Sequence, residues 1–132
     1  MTSGRCHCGA VTWTATGEPL HHALCHCSDC RRSAGAPMVG WIAYKAEQVT
    51  IDGEVTTFNS SGTAMRQFCP KCGTGMFYTN AEYLPGIIDI QSSTLDDAGE
   101  HAPAAHIQVA ERLPWMATQD ALPKFDRFPS MD

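Results

Sequence analysis

The sequence has no long apolar run: nothing in it approaches the roughly 18 consecutive apolar residues of a membrane-spanning helix. The opening stretch, "MTSGRCHCGA", has no apolar h-region of the kind a secretory signal carries, which points to a cytoplasmic protein. Positive charge is also short. Nine Lys and Arg stand against 14 Asp and Glu, a formal net charge of −5. The chain therefore offers no general attraction to nucleic acid or to an anionic membrane surface. No internal repeat, linker or low-complexity stretch interrupts the 132 residues. That length suits one hydrophobic core, so a single domain over residues 1–132 is expected.

Helical periodicity is scarce too. "VTWTATG" (11–17), "MVGWIAY" (38–44), "VTID" (49–52), "EVTTFNS" (54–60) and "MRQFC" (65–69) all read as strands. "GMFYTN" (75–80), "GIIDIQSSTLD" (86–96) and "HIQVAERLP" (106–114) follow in the same style. Asp52-Gly53 has the composition of a hairpin turn. Only 28–34 and the region near 96–100 look like helical turns. The tail "PKFDRFPSMD" (123–132) reads as an extended strap across a sheet or as a frayed end. The chain is mainly β.

Against these absences stand seven cysteines, an odd number without an export signal. A reduced compartment and an odd count both argue against a disulfide framework and for metal ligation or catalysis. They fall into "CHC" (Cys6, Cys8), "CHCSDC" (Cys25, Cys27, Cys30) and "CPKCG" (Cys69, Cys72). A CxxC turn followed by glycine is a zinc-knuckle pattern, with Gly73 able to take the positive φ the turn needs. Cys6 and Cys8 can supply two more ligands, so Cys6, Cys8, Cys69 and Cys72 close one tetrahedral structural site. Cys25, Cys27 and Cys30 are left as a three-thiolate set with one position free, the ligand count of a catalytic zinc. His26 is the one neighbour that could fill that position. Two zinc ions per chain are expected, the second held less firmly because its ligands are three and lie on one loop.

Three thiolates against a divalent cation leave a formal charge of −1, making such zinc a weaker Lewis acid than a three-histidine centre. A soft, thiolate-rich metal instead binds a further sulfur well, so the expected substrate is a small-molecule thiol. Arg31 and Arg32 follow Cys30 directly and are candidates to offset charge or to hold a substrate carboxylate. Asp29 is a candidate proton acceptor, and Trp41, Phe77, Tyr78 and Trp115 are candidate walls. His7, His21, His22, His101 and His106 have no ligand spacing with one another and receive no role.

"GRCHCGAV" (4–11), "CHCSDCRRSAG" (25–35), "FCPKCGTGMF" (68–77), "STLDD" (93–97) and "RLPW" (112–115) resemble, in order and spacing, the glutathione-dependent formaldehyde-activating enzyme family. The resemblance implies a β-tent of packed antiparallel sheets with one structural and one catalytic zinc, on the same two cysteine sets. It also implies a carbon–sulfur lyase that joins glutathione's thiol to formaldehyde, giving S-hydroxymethylglutathione. The family includes centromere protein V, whose chromatin role does not suit an acidic chain. The alternative is a non-enzymatic zinc-stabilised binding module of the same fold, for which an open three-cysteine site would be superfluous.

Overall fold

In the computed structural model, which describes residues 1–130, ten strands and one α-helix follow in chain order. They are β1 (Thr2–Arg5), β2 (Thr12–Ala15), β3 (His21–Cys25), α1 (Ser28–Ala34), β4 (Val39–Lys45) and β5 (Val49–Asp52). Then come β6 (Thr56–Ser61), β7 (Ala64–Phe68), β8 (Gly75–Asn80), β9 (Leu84–Gln91) and β10 (Ala105–Ile107). Short 3-10 turns fill much of the remainder, the longest at Pro114–Ala121. The mainly β, packed-sheet expectation holds.

The strands form two sheets. A three-stranded one runs β1-β2-β5, and a seven-stranded one runs β10-β3-β4-β9-β8-β7-β6. All pairs are antiparallel except β10 with β3, which is parallel. Strand alternation sorts the side chains of the large sheet onto two faces. Ile42, Tyr44, Phe77, Ile88 and Ile90 meet Trp13 and Ala15 of the small sheet, with Val11 just before β2, in the main core. Val39 and Trp41, from the intervening positions of β4, pack on the opposite face with Cys25 and Cys30. Because β4 lies inside the sheet and both its faces are covered, five of its seven residues are buried, and its sequence reads as a nearly continuous apolar run.

Three details differ from expectation. Asp52-Gly53 is no hairpin turn: β5 belongs to the small sheet and β6 to the large one, so the turn crosses between sheets. Gly53 has φ 104°, and a Cβ there would lie 2.2 Å from the carbonyl oxygen of Ala10, so close approach sets the residue. The stretch 106–114 contributes only the end of β10 before breaking into turns. The tail residues Phe125 and Phe128 are 59% and 93% exposed, so the tail does not strap the sheet; its last two residues, 131 and 132, lie outside the described residues. β1 and β3 carry too little apolar alternation to be read in advance, Thr2–Arg5 above all.

Candidate metal centres and the adjoining cavity

The first sulfur cluster gathers Cys6, Cys8, Cys69 and Cys72, whose sulfurs all lie within 4.8 Å of one another. Two turns build it, "CHCG" and "CPKCG", and both end in a left-handed glycine, Gly9 at φ 82° and Gly73 at φ 79°. In each turn that glycine's N–H returns to the carbonyl of the first cysteine, at 3.2 Å for Gly9 and 2.8 Å for Gly73. The positive φ is what folds the chain back tightly enough for both thiols to point inward. Cys6 and Cys8 sulfurs are 3.7 Å apart, and Cys8 and Cys69 sulfurs 3.8 Å. A tetrahedron of sulfurs at about 2.3 Å from zinc has edges of about 3.8 Å, so the donor set fits such an ion. The N–H of Val11 donates to Cys6 Sγ at 3.3 Å, and Thr74 Oγ1 lies 3.2 Å from Cys72 Sγ. Hydrogen bonds from Thr74 pull the Cys72 thiol down to about 5, toward the thiolate a metal requires.

The second cluster is local. Cys25 ends β3, Cys27 caps α1 and Cys30 sits in its first turn, with all three sulfurs within 4.8 Å. The Cys27 sulfur takes the N-cap role usually played by Ser or Asp, accepting the N–H of Cys30 at 3.3 Å. Capping therefore fixes the ligand geometry and the helix start together. Cys25 and Cys27 sulfurs are 3.5 Å apart. The hydrogen bond from Cys25, aided by Arg66, draws the Cys30 thiol down to about 5.

His26 does not complete this set. It is buried, its Nε2 lies 2.9 Å from His106 Nδ1, and neither of its nitrogens belongs to the group of donor atoms around the sulfurs. The three cysteines line a cavity of about 300 Å³ together with Arg66, Tyr78 and Asp89. A second cavity of about 460 Å³ adjoins it, the two sharing Asp29, Trp41 and Arg66.

Arg66 is the residue the sequence did not point to. Its guanidinium, on β7 and only 7% exposed, donates to Cys30 Sγ at 3.5 Å and to Asp29 Oδ2 at 2.7 Å. Its Nε donates to Ser60 Oγ at 2.8 Å, and Ser60 in turn donates to Asp29 at 2.9 Å. Its Cζ stands 4.9 Å from the Tyr78 ring centroid and 5.9 Å from that of Trp41. This buried cation is held beside the Cys30 sulfur, at the wall the two cavities share.

Arg31 is placed elsewhere: it donates to the carbonyls of His26 and Glu111, at 3.2 and 3.4 Å, and lines neither of these two cavities. Arg32 is exposed and lines the larger cavity. Asp29 is a poor proton acceptor. Burial would raise its carboxyl, but the hydrogen bonds from Arg66 and Ser60 outweigh it and hold the group below its ordinary range. Trp41 and Tyr78 meet at 5.9 Å between ring centroids and wall the sulfur cavity, whereas Phe77 reaches only the larger one. Trp115, 54% exposed, lies beside a shallow depression with Arg31 and Arg32.

Two β-sheets joined at a four-thiol cluster, with a three-thiol cluster open to a cavity, define a class of small β proteins whose two thiol clusters could each hold a metal ion. The family model described as glutathione-dependent formaldehyde-activating enzyme matches residues 1–111, and the chain belongs to that family. A protein of Halomonas elongata bearing that family's name is 24% identical over 128 residues, covering 88% of this chain and 80% of its own. A lyase of Schizosaccharomyces pombe is 32% identical over 81 residues, 60% of this chain and 59% of that protein's length. A protein of Talaromyces marneffei with the family's name is 32% identical over 77 residues, 54% of this chain and 41% of its own. The chain thus spans little more than half of the yeast protein and less of the last. The crystal structure of a Rhodobacter sphaeroides protein shares the fold, with a TM-score of 0.63 at 23% identity over 79% of this chain and 98% of that one. No helix among the described residues is long and apolar enough to cross a membrane.

Proposed function

We propose that the chain is a carbon–sulfur lyase-type enzyme acting on a small-molecule thiol and its carbonyl adduct. Glutathione and S-hydroxymethylglutathione are the pair that the names of its relatives suggest. Residues 1–132 act as one domain, with a structural zinc on Cys6, Cys8, Cys69 and Cys72 and a second zinc on Cys25, Cys27 and Cys30. The single observation that carries this reading is that three sulfurs within 4.8 Å of one another line an open cavity rather than a closed core.

Zinc bound there supplies a site at which a thiol loses its proton and its sulfur is oriented. The rest is done by the chain. Cys25, Cys27 and Cys30 would hold the ion at the wall of the cavity they line. Arg66 offsets the excess negative charge that an added thiolate brings, through its N–H on Cys30. Trp41 and Tyr78 exclude water from one side. The adjoining 460 Å³ falls in the range of ordinary ligand pockets and can take the body of a tripeptide, with Arg32 at its wall for a carboxylate. A pure binding module would require none of these features.

X-ray absorption on zinc-loaded protein tests the reading. The mean zinc coordination is expected to gain sulfur on adding glutathione and to lose it on washing; no change with glutathione or with simpler thiols overturns it.

A further inference from the structure

The seven-stranded sheet buries several polar side chains on its site face, and nearly all are accounted for. Arg66 bonds to Asp29, Ser60 and Cys30, while Asn80 bonds to Thr63, Tyr78 and two backbone N–H groups. Asp89 is different. Its side chain is 6% exposed, and its Oδ1 has no hydrogen-bond partner among the described residues. A buried carboxylate oxygen left unpaired is costly and calls for an explanation.

Its position supplies one. Asp89 stands between Ile88 and Ile90, which both face the main core, so alternation turns it to the opposite face. In register it pairs with Ala43 on β4 and Tyr78 on β8, and beyond these lie His21 on β3 and Arg66 on β7. It lines the same cavity of about 300 Å³ as the three cysteines, yet no hydrogen bond joins it to their sulfurs. The charged and titratable groups that line the cavity with it are His21, Cys25, Cys27, Asp29, Cys30, Arg66 and Tyr78, and the guanidinium among them, Arg66, is already taken by Asp29 at 2.7 Å. The wall of the sulfur cavity thus carries a carboxylate with one oxygen buried and unpaired.

We propose that Asp89 exchanges the proton of the adduct's hydroxyl group, an assignment that rests on the thiol reading above. The adduct R–S–CH(R′)–OH lies with its sulfur at the three cysteines and its hydroxyl donating to the Asp89 carboxylate. In cleavage the O–H proton passes to Asp89 and the O–H electron pair closes the C=O bond. The C–S bond breaks with its electrons kept by sulfur. In formation sulfur's lone pair attacks the carbonyl carbon, and the protonated Asp89 returns the proton to the oxygen. Nothing is oxidised or reduced. Burial holds the Asp89 carboxyl up to about 6, opposed by His21 and aided by the charge of Cys30, so both of its forms are accessible near neutrality.

The test uses zinc-loaded protein with glutathione and formaldehyde. Exchange between thiol and adduct is followed by magnetisation-transfer NMR, and thiol binding by titration of the cobalt-substituted protein. Asp89→Asn is expected to slow exchange about 100-fold or more, with thiol affinity within threefold of wild type and metal content unchanged. Exchange within threefold of wild type overturns the assignment, and so does a parallel loss of thiol binding, which marks a structural role. Should Asp89→Asn not fold, the carboxyl carbon of Asp89 in the wild type decides. Its titration midpoint is expected to move further on adding adduct than on adding thiol alone, and a midpoint that adduct moves no further than thiol does overturns the proposal. Wild-type protein that neither binds thiol nor speeds exchange sinks the thiol reading itself and the assignment with it.

Discussion

The two sulfur clusters use the same donor atom and differ in almost everything else. In one, Cys8 meets Cys69 across 61 residues of chain, and Cys6 and Cys69 are 1% and 0% exposed within the main core. In the other, three ligands fall within six residues of one strand–helix junction and open on a cavity. Closing a long loop removes much more freedom from the unfolded chain than closing a short one. A metal on the long-range cluster would therefore hold the N-terminal turn to the β7–β8 junction, whereas one on the local cluster would add little to the fold.

Serine substitution separates the two most sharply. Cys69→Ser should cost at least about 4 kcal/mol, the range in which loss of a structural metal falls, or prevent folding outright. Cys27→Ser should cost under about 1 kcal/mol, because a serine oxygen can still cap α1. Denaturant unfolding of both variants, with metal analysis, checks this. Equal costs would mean that the local cluster is structural as well.

Next in size is Arg66, the one cation among the described residues that hydrogen-bonds to the open cluster. Arg66→Met keeps the bulk beside Trp41 and Tyr78 but removes the N–H to Cys30 and leaves Asp29 with Ser60 and Ser61 alone. Metal affinity of the three-cysteine set should fall about 10- to 100-fold, as for other outer partners of ligands. The four-cysteine set should keep its metal. Competition with a chromogenic chelator reads both steps, and an unchanged weaker step would remove Arg66 from the site.

What was legible beforehand follows the same divide. The cysteine spacing alone separated the four from the three, because ligand number and turn chemistry are local properties of "CPKCG" and "CHCSDC". α1 (Ser28–Ala34) and β8 (Gly75–Asn80) were readable for the same reason. Arg66 and Asp89 were not, since each reaches the cavity only through sheet pairing set by residues far along the chain. Both left a trace: Arg66 is the one charged residue in "AMRQF" and Asp89 the one in "GIIDIQ". Asp52-Gly53 misled because turn composition does not say whether the strands it joins will pair with each other.

Asp89 makes the comparison run in the opposite sense. The closed cluster is where a change should unfold the protein, whereas the cavity beside the open cluster is where a change should make it more stable. The carboxyl of Asp89 is raised from an ordinary 3.8 to about 6 by burial, so the folded state disfavours its charged form. With the folded value above the unfolded one, its contribution is intact below 3.8 and is lost as pH rises through about 6. Asp89→Asn carries no charge to desolvate and should therefore be more stable than wild type by about 1–2 kcal/mol at pH 8, water in the adjoining cavity screening the remainder. The gap should shrink to nothing by about pH 4, as the wild-type carboxyl takes up its proton. Paired thermal melts across that range read the difference directly. A variant that is less stable at pH 8 would mean that the carboxylate has a partner in the fold and is not held in reserve for a ligand.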